Sequence, residues 1–380
     1  MRNYTRRMAG LRDRARAAAS EFRREAERID REDQFPPALL ELLWESGFLS
    51  LVAPRAAGGL GAGLVETAVV VEELSRGSGA AGLLTLLQAL GMTAIMETGE
   101  NKRADELLAH LIERREVCAF ALSEPEATAG EKPRVTSARK IRSEYLLIGR
   151  KTFISGVRDA DLVIVFAVTG PKLPLKKALT AFAVPAGTTG LLPGRELPKA
   201  GLRGVPAAEL ALEGVRLGTA ARVGKQGEGY GLARRSIVRC LPLVAALSAG
   251  ILREALDQLV DRARGRTEAA SAFSEFRAVE LALAEMAGGL DVARSMFWSA
   301  AAALDEGAPE AERLSREAKW LATEAAVTGI DQAVRLVGVE GAVRGSRLER
   351  LSRDARAAQI ILGPNHLHRL EAARKLLSGR

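Results

Sequence analysis

Cysteine, histidine and aromatic residues are all scarce in this sequence. Its two cysteines, Cys118 and Cys240, stand far apart in apolar runs, so they form neither a disulfide framework nor a thiolate metal centre, and buried free thiols are expected. Of its three histidines, His110 reads as a helix-end residue, while His366 and His368 stand two apart with no third ligand at metal spacing. They are read as polar residues at a helix start, and no metal site is expected. Aromatics make up only 4% of the residues. The net charge of +8 and pI near 9.8 therefore describe arginines scattered over amphipathic stretches, not a nucleic-acid surface, which needs clustered cations interleaved with aromatics.

Long apolar runs also read as lacking. No stretch reaches the length needed to cross a bilayer. The N-terminal arginines are joined by acidic residues from Glu21 onward, with no apolar signal core behind them. No membrane span and a cytoplasmic location are the expectation. No Ser-His-Asp or paired-carboxylate arrangement for hydrolysis can be read from spacing.

What is present is apolar bulk: 47% of 380 residues, enough to fill a large core in two or three sub-domains. Residues 8–110 read as helices, broken at Asp33-Gln34-Phe35-Pro36 and Gly47. The glycine-rich loop from Pro54 to Gly63 lacks the Lys-Ser/Thr of a phosphate-binding loop and reads as structural. At about Val117 the period changes to apolar runs of strand length: 117–122, 145–148, 162–168, 179–184 and 208–212. From Tyr230 the helical period returns. Phe276, Val279, Leu283, Met286, Leu290, Ala293 and Phe297 form a seam with steps of three and four. The expected domains are 1–116 (all-α), 117–225 (β) and 226–380 (helical bundle).

The candidate site lies between Phe120 and Gly156. Ala121-Leu122-Ser123-Glu124-Pro125 and Lys151-Thr152-Phe153-Ile154-Ser155-Gly156 each set a hydroxyl beside apolar or aromatic neighbours. Backbone N–H groups with Ser123 and Ser155 can meet the polar edge of a flat electron-accepting ring, with Phe153 over its face. Further motifs are Lys199-Ala200-Gly201-Leu202-Arg203-Gly204 with Ala208-Glu209-Leu210, the loop from Gly224 to Gly229, the glycines Gly338 and Gly341, and Arg353-Asp354-Ala355-Arg356. In sequence and in order these motifs resemble the acyl-CoA dehydrogenase family over nearly the whole chain.

That resemblance implies an α+β fold with an N-terminal helical domain, a β-barrel-like middle domain and a C-terminal four-helix bundle, assembled as a homodimer or homotetramer. It implies FAD as cofactor and, as in fatty acid metabolism, an acyl thioester of CoA or an acyl-carrier protein as substrate. In such enzymes a carboxylate takes the α-proton and the β-hydride passes to the flavin. Carried over by position, Leu122, Ser123, Phe153 and Ser155 hold the flavin ring. Arg266, Gly338 and Gly341 contact its nucleotide end across a subunit interface. Ala129 and Arg239 fall at substrate-binding positions.

The same alignment shows departures where the chemistry occurs. The catalytic carboxylate position holds Leu362, and the family's alternative base position falls near Cys240. Pro364 stands for a threonine, Arg277 for a glutamine, Val339 for a glycine, and Ala127-Thr128-Ala129 for Ala-Gly-Ser. Three readings follow: an acyl-thioester oxidoreductase whose base has moved, with Glu340, Cys240, His366 and Glu254 as candidates; a flavin monooxygenase on the same fold; or a non-catalytic subunit of a mixed tetramer with an active relative.

Overall fold

A computed structural model describes residues 2–99, 102–125, 135–264, 273 and 276–378. In α1 (Arg2–Glu32), the residues Leu11, Ala15, Ala18, Phe22, Ala26 and Ile29 fall on one face and are buried. Helix α2 (Pro37–Glu45) starts on a proline, whose missing N–H costs nothing there, and stops at Gly47, φ +71°. The Pro54–Gly63 loop folds back on the preceding segment, with the N–H groups of Gly61 and Ala62 donating to the carbonyls of Ala53 and Leu51. A Cβ on Gly59 would lie 2.2 Å from the Ala53 oxygen, so this loop is glycine-rich because backbone meets backbone. Helices α3 (Leu64–Gly77), α4 (Gly79–Met96) and α5 (Lys102–Glu113) complete this region.

The middle of the chain is one mixed sheet. Its strands are β1 (Cys118–Ala121), β2 (Ser137–Ile141), β3 (Glu144–Ser155), β4 (Leu162–Val168), β5 (Leu179–Pro185), β6 (Leu191–Leu197), β7 (Ala207–Gly218) and β8 (Arg222–Val223); the short α6 (Leu175–Ala178) precedes β5. The order is β6-β7-β3-β2-β4-β5-β8, with β1 parallel to β4. Strand β4 is apolar throughout and buried on both faces, as a central strand demands.

Helix α7 (Gly229–Ala263) follows, then α8 (Arg277–Glu306), α9 (Ala311–Val337), α10 (Val339–Ala342), α11 (Arg347–Ala358) and α12 (Asn365–Ser378). The predicted seam on α8 holds at Val279, Met286, Leu290, Ala293 and Phe297, all buried. Phe276 departs from it: it is the residue before the helix, 59% exposed, because the helical period begins only at Arg277. Pro242 lies buried well inside α7.

The membrane reading needs correction. Both α4 and α7 are long and apolar enough to span a bilayer by length and composition, and 83% of each qualifying window is buried within the protein. Core helices covered on all sides carry the same composition as spanning ones.

Among the described residues the largest apolar core joins α1–α5 to α7, α8, α9 and α11 and to Cys118, Ile164, Phe166 and Ala181 of the sheet; a second lies within the sheet around Tyr145, Val165, Phe182 and Leu210, and a small third one joins Leu64 and Val65 to Ala301.

Candidate functional site

The two turns of the predicted cradle are brought together by the sheet. The Thr152 N–H donates to the Ser123 carbonyl at 3.1 Å. What reads in sequence as a turn at Phe153 is a bulge in β3: Lys151 pairs with Leu210 and Ile154 with Ala208, so two residues face one. Phe153 takes φ +54° and stands 67% exposed. Ser123 is exposed beside it, Leu122 is half-buried, and the partly exposed Ser155 pairs with Ala207.

Beneath this surface lies an ion pair that sequence reasoning missed. Lys151 is fully buried and its Nζ donates to Glu124 Oε1 at 2.7 Å and to the Phe166 carbonyl at 2.6 Å. Glu124 Oε2 accepts from the Val135 N–H at 2.6 Å. Burial works against the carboxylate charge, but the Lys151 ammonium and the Val135 N–H outweigh it and hold the Glu124 carboxyl below its usual range. The pair locks one turn to the other from behind. Both residues stood inside the quoted motifs, but in sequence a lysine reads as surface.

Arg353 and Asp354 act as a clasp. Asp354 is buried and accepts the Leu202 N–H at 2.5 Å, and Arg353 binds Asp30 through two nitrogens at 2.6 and 2.8 Å. A Cβ on Gly201 would lie 2.2 Å from the Arg353 oxygen, so the glycine of the Lys199–Gly204 motif is there for close approach. Burial pushes the Asp354 carboxyl up to about 6, and it faces backbone instead of a ligand site.

This clasp fixes the start of the turn between α11 and α12, which carries Leu362. Leu362 adopts φ +54°, and its side chain packs against the main core. Two buried side chains hold the turn. Lys319 of α9 donates to the carbonyls of Gln359 at 2.6 Å and Gly363 at 2.8 Å, and to Asn365 Oδ1 at 2.7 Å. His368 lies with Nε2 3.2 Å from the Leu362 carbonyl and Nδ1 3.3 Å from Arg316 Nη1, which assigns the neutral tautomer with the proton on Nε2. Burial and the nearby cations Lys319 and Arg316 push the imidazole down to about 4. Sequence reading set His368 among helix-start residues; it is one, but turned inward.

Three of the four replacement bases proposed from sequence are bound to arginine or masked by burial. The Cys240 thiol is fully buried and pushed up to about 12, chiefly by desolvation. Glu254 is buried between Arg23 at 2.6 Å and Arg347 at 3.3 Å. Glu340 is exposed and bound to Arg262 at 2.7 Å. His366 is exposed on the first turn of α12.

Arg239 lies between Glu97 at 3.6 Å and Asp305 at 3.9 Å. Gly338 ends α9 with φ +76°, nothing stands within 4 Å of where its Cβ would be, and Gly341 follows on α10. The Arg262–Glu340 pair brings the end of α7 to this glycine turn. Arg266 and Ala129 lie outside the described residues.

Residues 6–115, 119–215 and 227–377 match the N-terminal, middle and C-terminal domains of acyl-CoA dehydrogenases. The chain belongs to the acyl-CoA dehydrogenase family. It is 30% identical to a 3-(aryl)acrylate reductase of Clostridium sporogenes, over 93% of each chain. Among solved structures it matches butyryl-CoA dehydrogenase from Megasphaera elsdenii with TM-score 0.91 and 25% identity, covering 97% of this chain and 98% of that one. It also matches the prolyl acyl carrier protein oxidase AnaB with TM-score 0.90 and 25% identity, over 97% and 98%. The family's cofactor is FAD. The hydroxyls of Ser123 and Ser155, the outward Phe153 ring and the open glycine at Gly338 fit it.

Proposed function

We propose that this chain holds FAD and an acyl thioester but does not itself remove the α-proton, and that it works as a subunit of a mixed oligomer with a relative bearing the missing carboxylate. The observation that supports this reading is the state of the candidate bases. Leu362 is taken to stand at the family's base position; of the alternatives, Glu254 and Glu340 are bound to arginine, Cys240 is a thiol too deeply buried to ionise near neutrality, and His366 stands exposed on the first turn of α12.

FAD, when bound, supplies a hydride acceptor. The chain's own contribution is placement. Ser123 and Ser155 offer hydroxyls to the ring edge, Phe153 covers a face, and the Glu124–Lys151 pair keeps the two turns in register. Leu362 gives the cleft an apolar wall that excludes water without exchanging a proton.

The test begins with the visible spectrum of the purified chain before and after adding FAD and re-purifying. We expect a flavin band, no bleaching by acyl-CoA thioesters without oxygen, and co-purification with a relative carrying the glutamate when the two are co-expressed. Bleaching by the isolated chain would overturn the reading and favour an oxidoreductase with a relocated base. A chain that stays colourless would remove the flavin role.

A further inference from the structure

The turn from Gln359 to Asn365 has no regular backbone ladder of its own, yet it carries two positive-φ residues in succession, Leu362 at +54° and Gly363 at +110°. For a leucine that conformation is strained and persists only where surroundings enforce it. The enforcing group is a lysine with none of the company a buried lysine normally keeps. Lys319 is 0% exposed, and its three N–H donors are spent on three oxygens of this one segment, within 2.8 Å. The carboxylate whose charge acts on it, Glu324 of the same helix, is engaged by Arg369 and Asn365. Asn365 is held in place by Thr323, its Nδ2 lying 3.0 Å from the hydroxyl.

We propose that Lys319 is the positioning residue of the cleft: its ammonium gathers the Gln359 and Gly363 carbonyls and the Asn365 side chain, and so fixes where Leu362 stands. This rests on the reading of Leu362 as a wall of the flavin cleft, but the geometry of the turn is independent of it. A buried charge with three good acceptors and no carboxylate bonded to it costs more than a methionine of similar size, so the residue serves conformation and not net stability. Burial pushes the Lys319 ammonium down to about 7, and the Glu324 charge works the other way.

Hydrogen exchange on the full chain tests the proposal without flavin. The amides of Ile360 and Gly363, which bond to the Ala357 and Ile360 carbonyls, report on the turn. In Lys319→Met we expect segment 359–365 to exchange at least about tenfold faster, and in Asn365→Ala, which removes one of the three oxygens, about threefold faster. Leu259→Ala, a core truncation on α7, should lower global stability and leave the segment unchanged. In the FAD-loaded chain the visible band should shift in Lys319→Met and not in Leu259→Ala.

Wild-type exchange of 359–365 in Lys319→Met would overturn the proposal, as would equal loosening by Leu259→Ala. If Lys319→Met does not fold, Asn365→Ala decides alone, and an unchanged turn there sinks it. A loosened turn with no flavin bound would keep the proposal and defeat the functional reading.

Discussion

Between α1, α3, α7 and α8, two glutamates that are almost completely buried are met by four arginines; at the turn before α12, the position we propose for the family's catalytic carboxylate holds Leu362. In the first region Glu72 and Glu73 line a cavity of about 410 Å³ with Arg12, Arg16, Arg253 and Arg294. Arg294 reaches Glu72 at 2.6 and 2.8 Å, and Arg253 reaches Glu73 at 3.2 Å. In the second, the groups around Leu362, Lys319 and His368, hold backbone carbonyls, and Glu324 beside them is bound to Arg369. The chain is thus rich in buried carboxylates but spends them on helix docking. A carboxylate becomes a base only when it can change its proton, and pairing with guanidinium removes that freedom.

Placing an acid in the second region should break this contrast most strongly. Leu362→Glu is expected to raise the anaerobic rate of flavin bleaching by an acyl-CoA by about 10²–10⁴-fold, the usual worth of a positioned general base. An unaltered rate would show that the cleft lacks more than the carboxylate. The next largest effect concerns the ion pair behind the cradle. Lys151→Met leaves Glu124 buried without its cation and should cost about 3–5 kcal/mol by urea unfolding, with weakened FAD retention.

A third effect sets the histidine behind Leu362 against the arginine-bound glutamates by pH. The folded pKa of His368, about 4, lies below its unfolded value of 6.5. Between those values the unfolded chain binds the proton and the folded chain does not, so stability falls as pH drops through this window. About 3 kcal/mol should be lost by pH 4, and His368→Gln should flatten that part of the urea-midpoint profile. A wild-type profile without slope between pH 6.5 and 4 would refute it. Within the cavity, Arg294→Ala leaves Glu72 with Arg253 at 3.9 Å and should cost about 1–3 kcal/mol. On the surface, Arg24→Ala, which breaks an exposed pair with Glu21, should change stability by no more than about 0.5 kcal/mol. Equal losses from those two arginines would erase the distinction between cavity and surface.

Much of the layout was legible because it is written in local period. The helices and the α8 seam follow steps of three and four, and β4 follows an unbroken apolar run. Strands β2 and β6 were not legible: Ser137–Ile141 and Leu191–Leu197 are largely exposed, polar segments that become strands by pairing with β3 and β7. The outer half of β3 was hidden likewise by Arg150 and Lys151. The site divides in the same way. Ser123, Phe153 and Ser155 could be named from short motifs, whereas the bulge that turns Phe153 outward depends on register with β7. Lys151, Lys319 and His368 matter because of partners up to 52 positions away, and no spacing rule reports such meetings.

The larger apolar core has a consequence for biosynthesis. It draws side chains from Leu11 near one end of the chain to Ala358 near the other and takes in Ile164 and Phe166 of β4, while the sheet's remaining buried residues form a core of their own. The N-terminus of α3 is finished by a late residue, Asp305, whose carboxylate accepts the Leu64 N–H at 2.9 Å. On the ribosome the first helices must therefore wait, with apolar faces uncovered, until α7, α8, α9 and α11 have been made, whereas the sheet can close in the interval. Nascent chains stalled after β8 should accordingly protect the strands from protease and leave α1–α4 open to cleavage and to chaperones.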